Sequence, residues 1–320
     1  MSHLPGDLSP QPSGLWKTGP SPVVSVGNIA VGGRGQTPLV AHVALLLLAA
    51  GERPAILSRG YARRIAEDGV VIVSDGTHLL ADLDRSGDEP LMLARAVPGA
   101  AVLVCEQRAI AGALAERALG ATVLVLDDGF QHRAMRRDLD IVAVTPDDLR
   151  GRRFPFGRLR ESPDALRRAS AIIIDGAVDD AMRSQWSCPV FSMTRHLSEP
   201  QPIEPGRPAP TRGGGPIVAL AGIAGPERFQ RALEAAGWSV ASLLRFPDHH
   251  RYSAADLSRA AQTVRETGAV GILTTDKDAV RLRPWRPLPV PIAAVPLVVT
   301  IEPSSEFDAW LLAGVARARA

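Results

Sequence analysis

The sequence predicts an α/β fold built on a parallel sheet, and three observations carry that expectation. From Val23 onward, short β-rich apolar runs alternate with helical stretches, the pattern of strands joined by crossover helices. The first of these strands passes through a glycine-rich turn directly into a helix. The alternation restarts beyond a basic, Pro- and Gly-punctuated stretch at Arg150–Arg168, which predicts a second, smaller α/β domain.

Residues 1–22, rich in Pro, Gly and Ser and without the apolar run of a signal peptide, are expected to form a flexible N-terminal arm. A first domain is expected over 23–160, with strands at Val23–Val26, Ala55–Leu57, Val102–Cys105, Val123–Leu126 and Ile141–Val144. Its helices fall around Pro38–Ala50, Pro90–Ala96 and Ile110–Leu119, and a short hairpin is expected near Val70–Val73. The second domain, 161–305, is expected to hold strands at Ala171–Ile174, Val190–Met193, Ile217–Ala221, Val240–Leu244, Ile272–Thr274 and Ala293–Val299. Helices at Pro226–Ala236 and Ala254–Glu266 and a Pro/Gly-rich linker at Glu199–Pro216 complete it. A closing helix near 306–317 is expected to pack back on one of the two domains, the first being one candidate. No solenoid-like repeat is visible.

A chain of 320 residues accommodates two domains of ordinary size. Its 46% hydrophobic and 22% charged residues are globular values. A net charge of +2 and 4% aromatic residues argue against a nucleic-acid partner. The positive charge is almost all arginine, Lys17 and Lys277 being the only lysines. Cys105 and Cys188 lie far apart in expected strands with no secretory signal, which points to a reduced, cytoplasmic compartment. The longest apolar run, Val43–Ala50, falls short of the roughly 20 residues that span a bilayer.

The chemistry-bearing signal begins at the glycine-rich turn, Gly27-Asn28-Ile29-Ala30-Val31-Gly32-Gly33-Arg34-Gly35-Gln36-Thr37, between a strand and a helix. This is the spacing of a P-loop: backbone N–H groups of Ala30 to Thr37 and the positive helix end would face phosphates, and the Thr37 hydroxyl would ligate Mg²⁺. The lysine expected just before Thr37 is replaced by Gln36, an amide that donates a hydrogen bond but carries no charge. A glycine-rich βα turn without a ligand remains the alternative reading. The run Val123–Leu126 ends in Asp127 and Asp128, where a Walker B acid that holds Mg²⁺ belongs. A strand-end Asp capping a turn is the competing reading there.

These two motifs, in this order, resemble the tetraacyldisaccharide 4′-kinase family, the lipid A 4′-kinases. The resemblance runs from Val23 to Ala279 and includes Val24-Ser25-Val26-Gly27-Asn28, Gly32-Gly33, Ser58-Arg59-Gly60-Tyr61, Gly87-Asp88-Glu89-Pro90 and Asp127-Asp128-Gly129-Phe130-Gln131-His132. It continues through Leu159-Arg160-Glu161, Ala221-Gly222-Ile223, Phe246-Pro247-Asp248-His249 and Leu273-Thr274-Thr275-Asp276-Lys277-Asp278-Ala279. It implies a P-loop NTPase-type sheet and transfer of the γ-phosphate of ATP, with Mg²⁺, to the 4′-hydroxyl of a tetraacylated glucosamine disaccharide 1-phosphate at the cytoplasmic face of the inner membrane. It further implies an acylated lipid precursor as partner and peripheral membrane contact; a monomer is expected.

Position by position, the resemblance assigns Asp88 and His249 as the pair that activates the sugar hydroxyl, the carboxylate orienting the imidazole. Read from the residues alone, Asp88 is equally a helix N-cap and His249 a turn residue, with His250 beside it as a rival. Asp127, Asp128 and Glu161 match acids of the metal site, Arg108 a nucleotide contact, and Tyr61, Glu89 and Arg160 substrate contacts. The arginines of 150–168 are read either as partners of anionic head groups or as a solvated linker face. The chain departs from the family at Gln36, and before the first strand, where the family carries an apolar membrane-associating helix. A kinase homologue of impaired turnover that binds nucleotide or lipid precursor, or a P-loop kinase or ligase acting on a soluble small molecule, are the alternative functions.

Overall fold

The computed structural model describes residues 19–32, 35–61, 63–65 and 67–320, so the expected arm lies outside the described residues up to position 18. In chain order the elements begin β1 (Val23–Asn28), α1 (Gln36–Ala49), β2 (Pro54–Ser58), β3 (Val71–Asp75), α2 (Leu83–Ser86), α3 (Asp88–Ala96) and β4 (Ala101–Val104). They continue α4 (Arg108–Leu119), β5 (Val123–Asp127), β6 (Leu139–Val144), β7 (Ala171–Asp175), α5 (Asp180–Ser184), β8 (Val190–Leu197) and β9 (Gln201–Pro202). The last are β10 (Ile217–Ala221), α6 (Pro226–Ala235), β11 (Val240–Arg245), α7 (Ala254–Thr267), β12 (Ile272–Thr274), α8 (Asp276–Leu282), β13 (Ile292–Ala294), β14 (Leu297–Glu302) and α9 (Ser304–Arg319). The chain forms two compact units, one holding the chain up to Ser86, Leu93–Arg195 and Val299–Ala320, the other Gly87–Met92 and His196–Val298.

The first unit carries a nine-stranded sheet in the order β14-β8-β7-β6-β1-β5-β2-β4-β3. Strands β1, β2 and β4 to β8 pair in parallel, and β3 runs antiparallel to β4 at the edge. Continuous apolar sequences such as Val123–Leu126 make such strands, because both faces are covered. From β1 the chain crosses to the β2, β4, β5 flank and returns through β6 to the other. The order therefore reverses at β1, where open α/β sheets bind ligands at the carboxyl edge.

One apolar layer packs Ala111 and Ala115 of α4 on Leu57, Leu103 and Leu124, and another packs Ile29, Phe130, Val142, Ile172 and Leu159. Helix α9 belongs to this unit: Phe307 is fully buried, its ring edge-on to Phe191 at 5.3 Å. Phe307→Ala is expected to lower stability by about 3–5 kcal/mol in denaturant unfolding, through lost burial and the cavity left behind.

The boundary expected at 160/161 falls inside this unit. Strand β7 pairs with β6, Ile141 opposite Ala171, and β8 with β7, so the apolar runs at 171–174 and 190–193 extend the first sheet. The expected strand Ala293–Val299 is two strands, β13 and β14, separated at Pro296, which has no N–H for a ladder.

The second unit has a five-stranded sheet, β11-β10-β12-β13-β9, parallel except for β9. Helix α6 covers one face with Phe229 and Leu233, and α7 the other with Leu257, Ala260 and Val264. A capping box between Ser253 and Asp256 starts α7, and Gly268 at φ 64° ends it. Among the described residues, no helix is long and apolar enough to cross a membrane.

Candidate active site

In the first unit, β1 leads into the glycine-rich turn and α1, capped by Gly35 at φ 73°, a conformation that favours glycine. Asn28 organises the turn. Its Oδ1 accepts from the Ala30 N–H at 2.8 Å, and its Nδ2 donates to Gln36 Oε1 at 2.6 Å. The Val31 N–H donates to the Arg158 carbonyl at 2.8 Å. The amides of Ala30 and Val31, both expected to face phosphate, are thus engaged within the protein. Among the described residues, the donors left for an anion are the N–H groups of Gln36 and Thr37 in the first turn of α1, which have no intrahelical partner. Gly33 and Arg34 lie outside the described residues.

Gln36 does not stand idle: its Nε2 donates to Asp128 Oδ1 at 3.2 Å. Asp128 in turn accepts from both terminal guanidinium nitrogens of Arg160, at 2.8 and 3.1 Å. Burial alone would raise the Asp128 carboxyl, but Arg160, Gln36 and Arg108 outweigh it and hold it below the usual range. Arg160 also donates to the Ala30 carbonyl at 3.0 Å and Asn28 Oδ1 at 3.0 Å. The structure therefore places this expected substrate contact against the glycine-rich turn. Asp128 has φ 50°, one of two non-glycine residues with positive φ among the described residues.

Asp127 is buried at the end of β5, and Ser58 Oγ donates to its Oδ2 at 3.2 Å. Glu161 is engaged by Arg168 at 2.7 Å, Gln131 at 3.1 Å and Arg133 at 3.4 Å. These partners outweigh the burial that would raise its carboxyl and hold it below the usual range. Among the described residues, no three His, Cys, Asp or Glu side chains form a metal cage. Thr37 and Asp127 nevertheless suit Mg²⁺, which is commonly held by few protein oxygens plus substrate phosphates. Asp128 and Glu161, expected beside them, have their carboxylates bridged by arginines.

Arg108 opens α4 and is 1% exposed. It donates to the Asp128 carbonyl at 3.1 Å, while its buried Nε has no hydrogen-bond partner. An anion in the loop would supply one. Burial brings this guanidinium down to about 10, so it stays charged at neutral pH. The loop after β5 is held by Arg137, whose Nη1 donates to the carbonyls of Gly129, Phe130 and His132. Close approach demands Gly27, where a Cβ would lie 2.6 Å from Phe130 Cβ.

His132 is lowered to about 4 by burial and then by Arg108, Arg59 and Arg137. The folded value lies below the unfolded one, so its stabilising contribution is full above pH 6.5 and is lost as pH falls toward 4. Histidine NMR titration is expected to give a value near 4 for the protein alone. A polyphosphate ligand, by screening the arginines, is expected to move that value upward.

In the second unit the sequence-distant Asp88 and His249 meet. His249 Nδ1 lies 2.9 Å from Asp88 Oδ2. Asp88 is 4% exposed, and His249 has φ 58°, the second positive-φ residue. His250 points elsewhere, with Nε2 at 3.1 Å from Asp256 and its ring stacked on Phe246. Lys277 Nζ stands 3.3 Å from His249 Nε2 and 3.2 Å from Glu89 Oε1. Since an ammonium only donates, Nε2 is the acceptor and Nδ1–H donates to Asp88. Arg281 Nη2 lies 3.6 Å from Asp88 Oδ2.

Sequence reasoning quoted Lys277 within a motif of the resemblance but gave it no role, and passed over Arg281 and the helix α8 that carries both. The available signal was the cap, Thr275 accepting from the Asp278 N–H, ahead of an apolar turn. The i, i+4 spacing then puts both cations on one face. Tyr61 stands 75% exposed beyond β2.

The model of the tetraacyldisaccharide-1-P 4′-kinase family matches residues 15–316. The chain is 38% identical to the tetraacyldisaccharide 4′-kinase of Syntrophus aciditrophicus, over 92% of this chain and 84% of that protein. It is 42% identical to that of Anaeromyxobacter dehalogenans, over 82% and 73% respectively. Its fold superposes on the crystal structure of LpxK from Aquifex aeolicus in complex with ATP with a TM-score of 0.77, at 31% identity, covering 93% of this chain and 90% of that one. A match over nearly the whole length, by sequence and by fold, means that the chain belongs to the tetraacyldisaccharide-1-P 4′-kinase family.

Proposed function

We propose that the protein transfers the γ-phosphate of ATP to the 4′-hydroxyl of a tetraacylated glucosamine disaccharide 1-phosphate. The observation that carries this reading is the hydrogen bond of 2.9 Å between Asp88 and His249, 161 residues apart, in a chain of this family. In it, Asp88 holds the Nδ1–H tautomer, leaving the Nε2 lone pair as the base for the sugar hydroxyl. Lys277 fixes the ring from the other side and yields Nε2 when the hydroxyl arrives, remaining paired with Glu89.

The amides from Gly32 onward and the buried Arg108 bind the phosphates of ATP. Thr37 and Asp127 would hold Mg²⁺, which would supply positive charge against the phosphates. Arg160, tied to Asp128 and the turn, keeps the loop in shape and adds positive charge near position 36. The protein acts as a monomer on the cytoplasmic face of the inner membrane, with no nucleic acid involved. The test is phosphate transfer from labelled ATP to the detergent-dispersed tetraacyldisaccharide 1-phosphate, with Mg²⁺. Absence of transfer at any enzyme concentration would favour a second reading, a homologue that binds without turnover, for which the neutral Gln36 is the specific argument.

A further inference from the structure

The loop Gly151–Leu159 of the first unit is firmly held at its base and bare at its tip. Leu159 is 1% exposed among Ile29, Val142 and Ile174, and its N–H donates to the Arg152 carbonyl at 3.1 Å. The Phe154 N–H donates back to the Leu159 carbonyl at 2.9 Å. Gly157 leaves no alternative, since a Cβ there would lie 2.1 Å from the Arg152 carbonyl oxygen. From this frame Phe154 and Phe156 project at 77% and 86% exposure, the highest among the exposed large hydrophobics of the described residues. Two rings held in water by an ordered backbone forgo burial that the fold elsewhere secures.

Charge surrounds these rings on one side of the ledger only. Arg150, Arg152, Arg153 and Arg158 are exposed, and no acidic residue occurs between Arg150 and Arg160. Arg160 and Arg168 pair with Asp128 and Glu161, whereas those four form no ion pair among the described residues. Aromatic rings at the tip with unpaired guanidinium groups around them complement a surface that is apolar beneath and anionic at its face. That is the chemistry of a bilayer rich in acidic lipids: rings settle at the headgroup level and arginine forks meet phosphates.

We propose that this loop docks the protein on an anionic membrane surface through Phe154 and Phe156, with the four arginines on lipid phosphates. The proposal rests on the kinase reading in that a tetraacylated acceptor resides in a bilayer, yet docking itself requires neither acceptor nor ATP.

Co-sedimentation of the full chain with phosphatidylglycerol–phosphatidylcholine vesicles and with pure phosphatidylcholine vesicles tests it, without substrate. Wild type is expected to favour the anionic vesicles. Phe154→Ser/Phe156→Ser is expected to lower partitioning at least tenfold. Arg152→Gln/Arg153→Gln is expected to lower it by about fivefold per arginine at low salt, with the difference shrinking as salt rises. Because the rings are largely exposed, the Phe double variant is expected to keep wild-type turnover on detergent-dispersed substrate. Wild-type vesicle binding by the Phe double variant, or no binding of wild type to anionic vesicles, as for a loop that meets a protein partner, would overturn the proposal. Loop-dependent vesicle binding by a protein with no turnover in detergent would uphold the docking and overturn the kinase reading.

Discussion

His249→Ala is expected to lower kcat by about 10²–10⁴-fold, the contribution of a positioned general base, with little change in KM for ATP. The expectation follows from the geometry around the imidazole. Asp88 Oδ2 is 2.9 Å from Nδ1 and Lys277 Nζ is 3.3 Å from Nε2, so the ring is held in one orientation and one tautomer. Asp88→Asn keeps the size but presents an amide that must turn its oxygen to the Nδ1–H, and is expected to fall in the same range. Lys277→Met should cost less, up to about 10²-fold, since it loosens the ring without removing the base. Steady-state kinetics with the dispersed lipid acceptor separate these cases. An unchanged kcat in His249→Ala would remove the residue from the chemistry and leave it as the turn residue its φ of 58° also describes.

Gln36→Lys is expected to raise kcat by about 10²–10³-fold, the worth of one preorganised donor to transition-state charge. Tighter ATP binding by about 1.5–3 kcal/mol should accompany it, as for a hydrogen bond to a charged group. Position 36 opens α1 directly behind the turn, and its present side chain already faces the site, bonded to Asn28 and Asp128. A lysine there would reach farther than the amide and bring a full charge. A rate equal to wild type would mean that Arg108 and Arg160 already supply what the lysine would add. Isothermal titration with a non-hydrolysable ATP analogue alongside single-turnover rates distinguishes binding from chemistry.

Local pattern made much of the architecture readable. The strands at 23–26, 55–57, 102–105, 123–126 and 141–144 occur within one or two residues of their expected bounds, because each is a short apolar run flanked by turn residues. The turn between β1 and α1 was visible from its glycines, since only their backbone freedom allows that path. Helix α8 escaped notice because seven residues with two carboxylates and a lysine show little apolar periodicity. Strands β7 and β8 were placed in the wrong sheet for a related reason. An apolar run declares that it will be a strand, whereas its partner is set by which strand edge the folded chain offers.

By itself, then, the sequence determined the α/β class, the glycine-rich turn ahead of α1 and the paired acids after β5, all properties of residues close in the chain. The tertiary structure alone decided which side chains those features meet. It brought His249 rather than His250 to Asp88, set Lys277 against the imidazole, and bridged Asp128 with Arg160. It also left Phe154 and Phe156 in solvent. Contacts between residues so distant in sequence arise from strand order and loop paths, which no short window of residue types encodes.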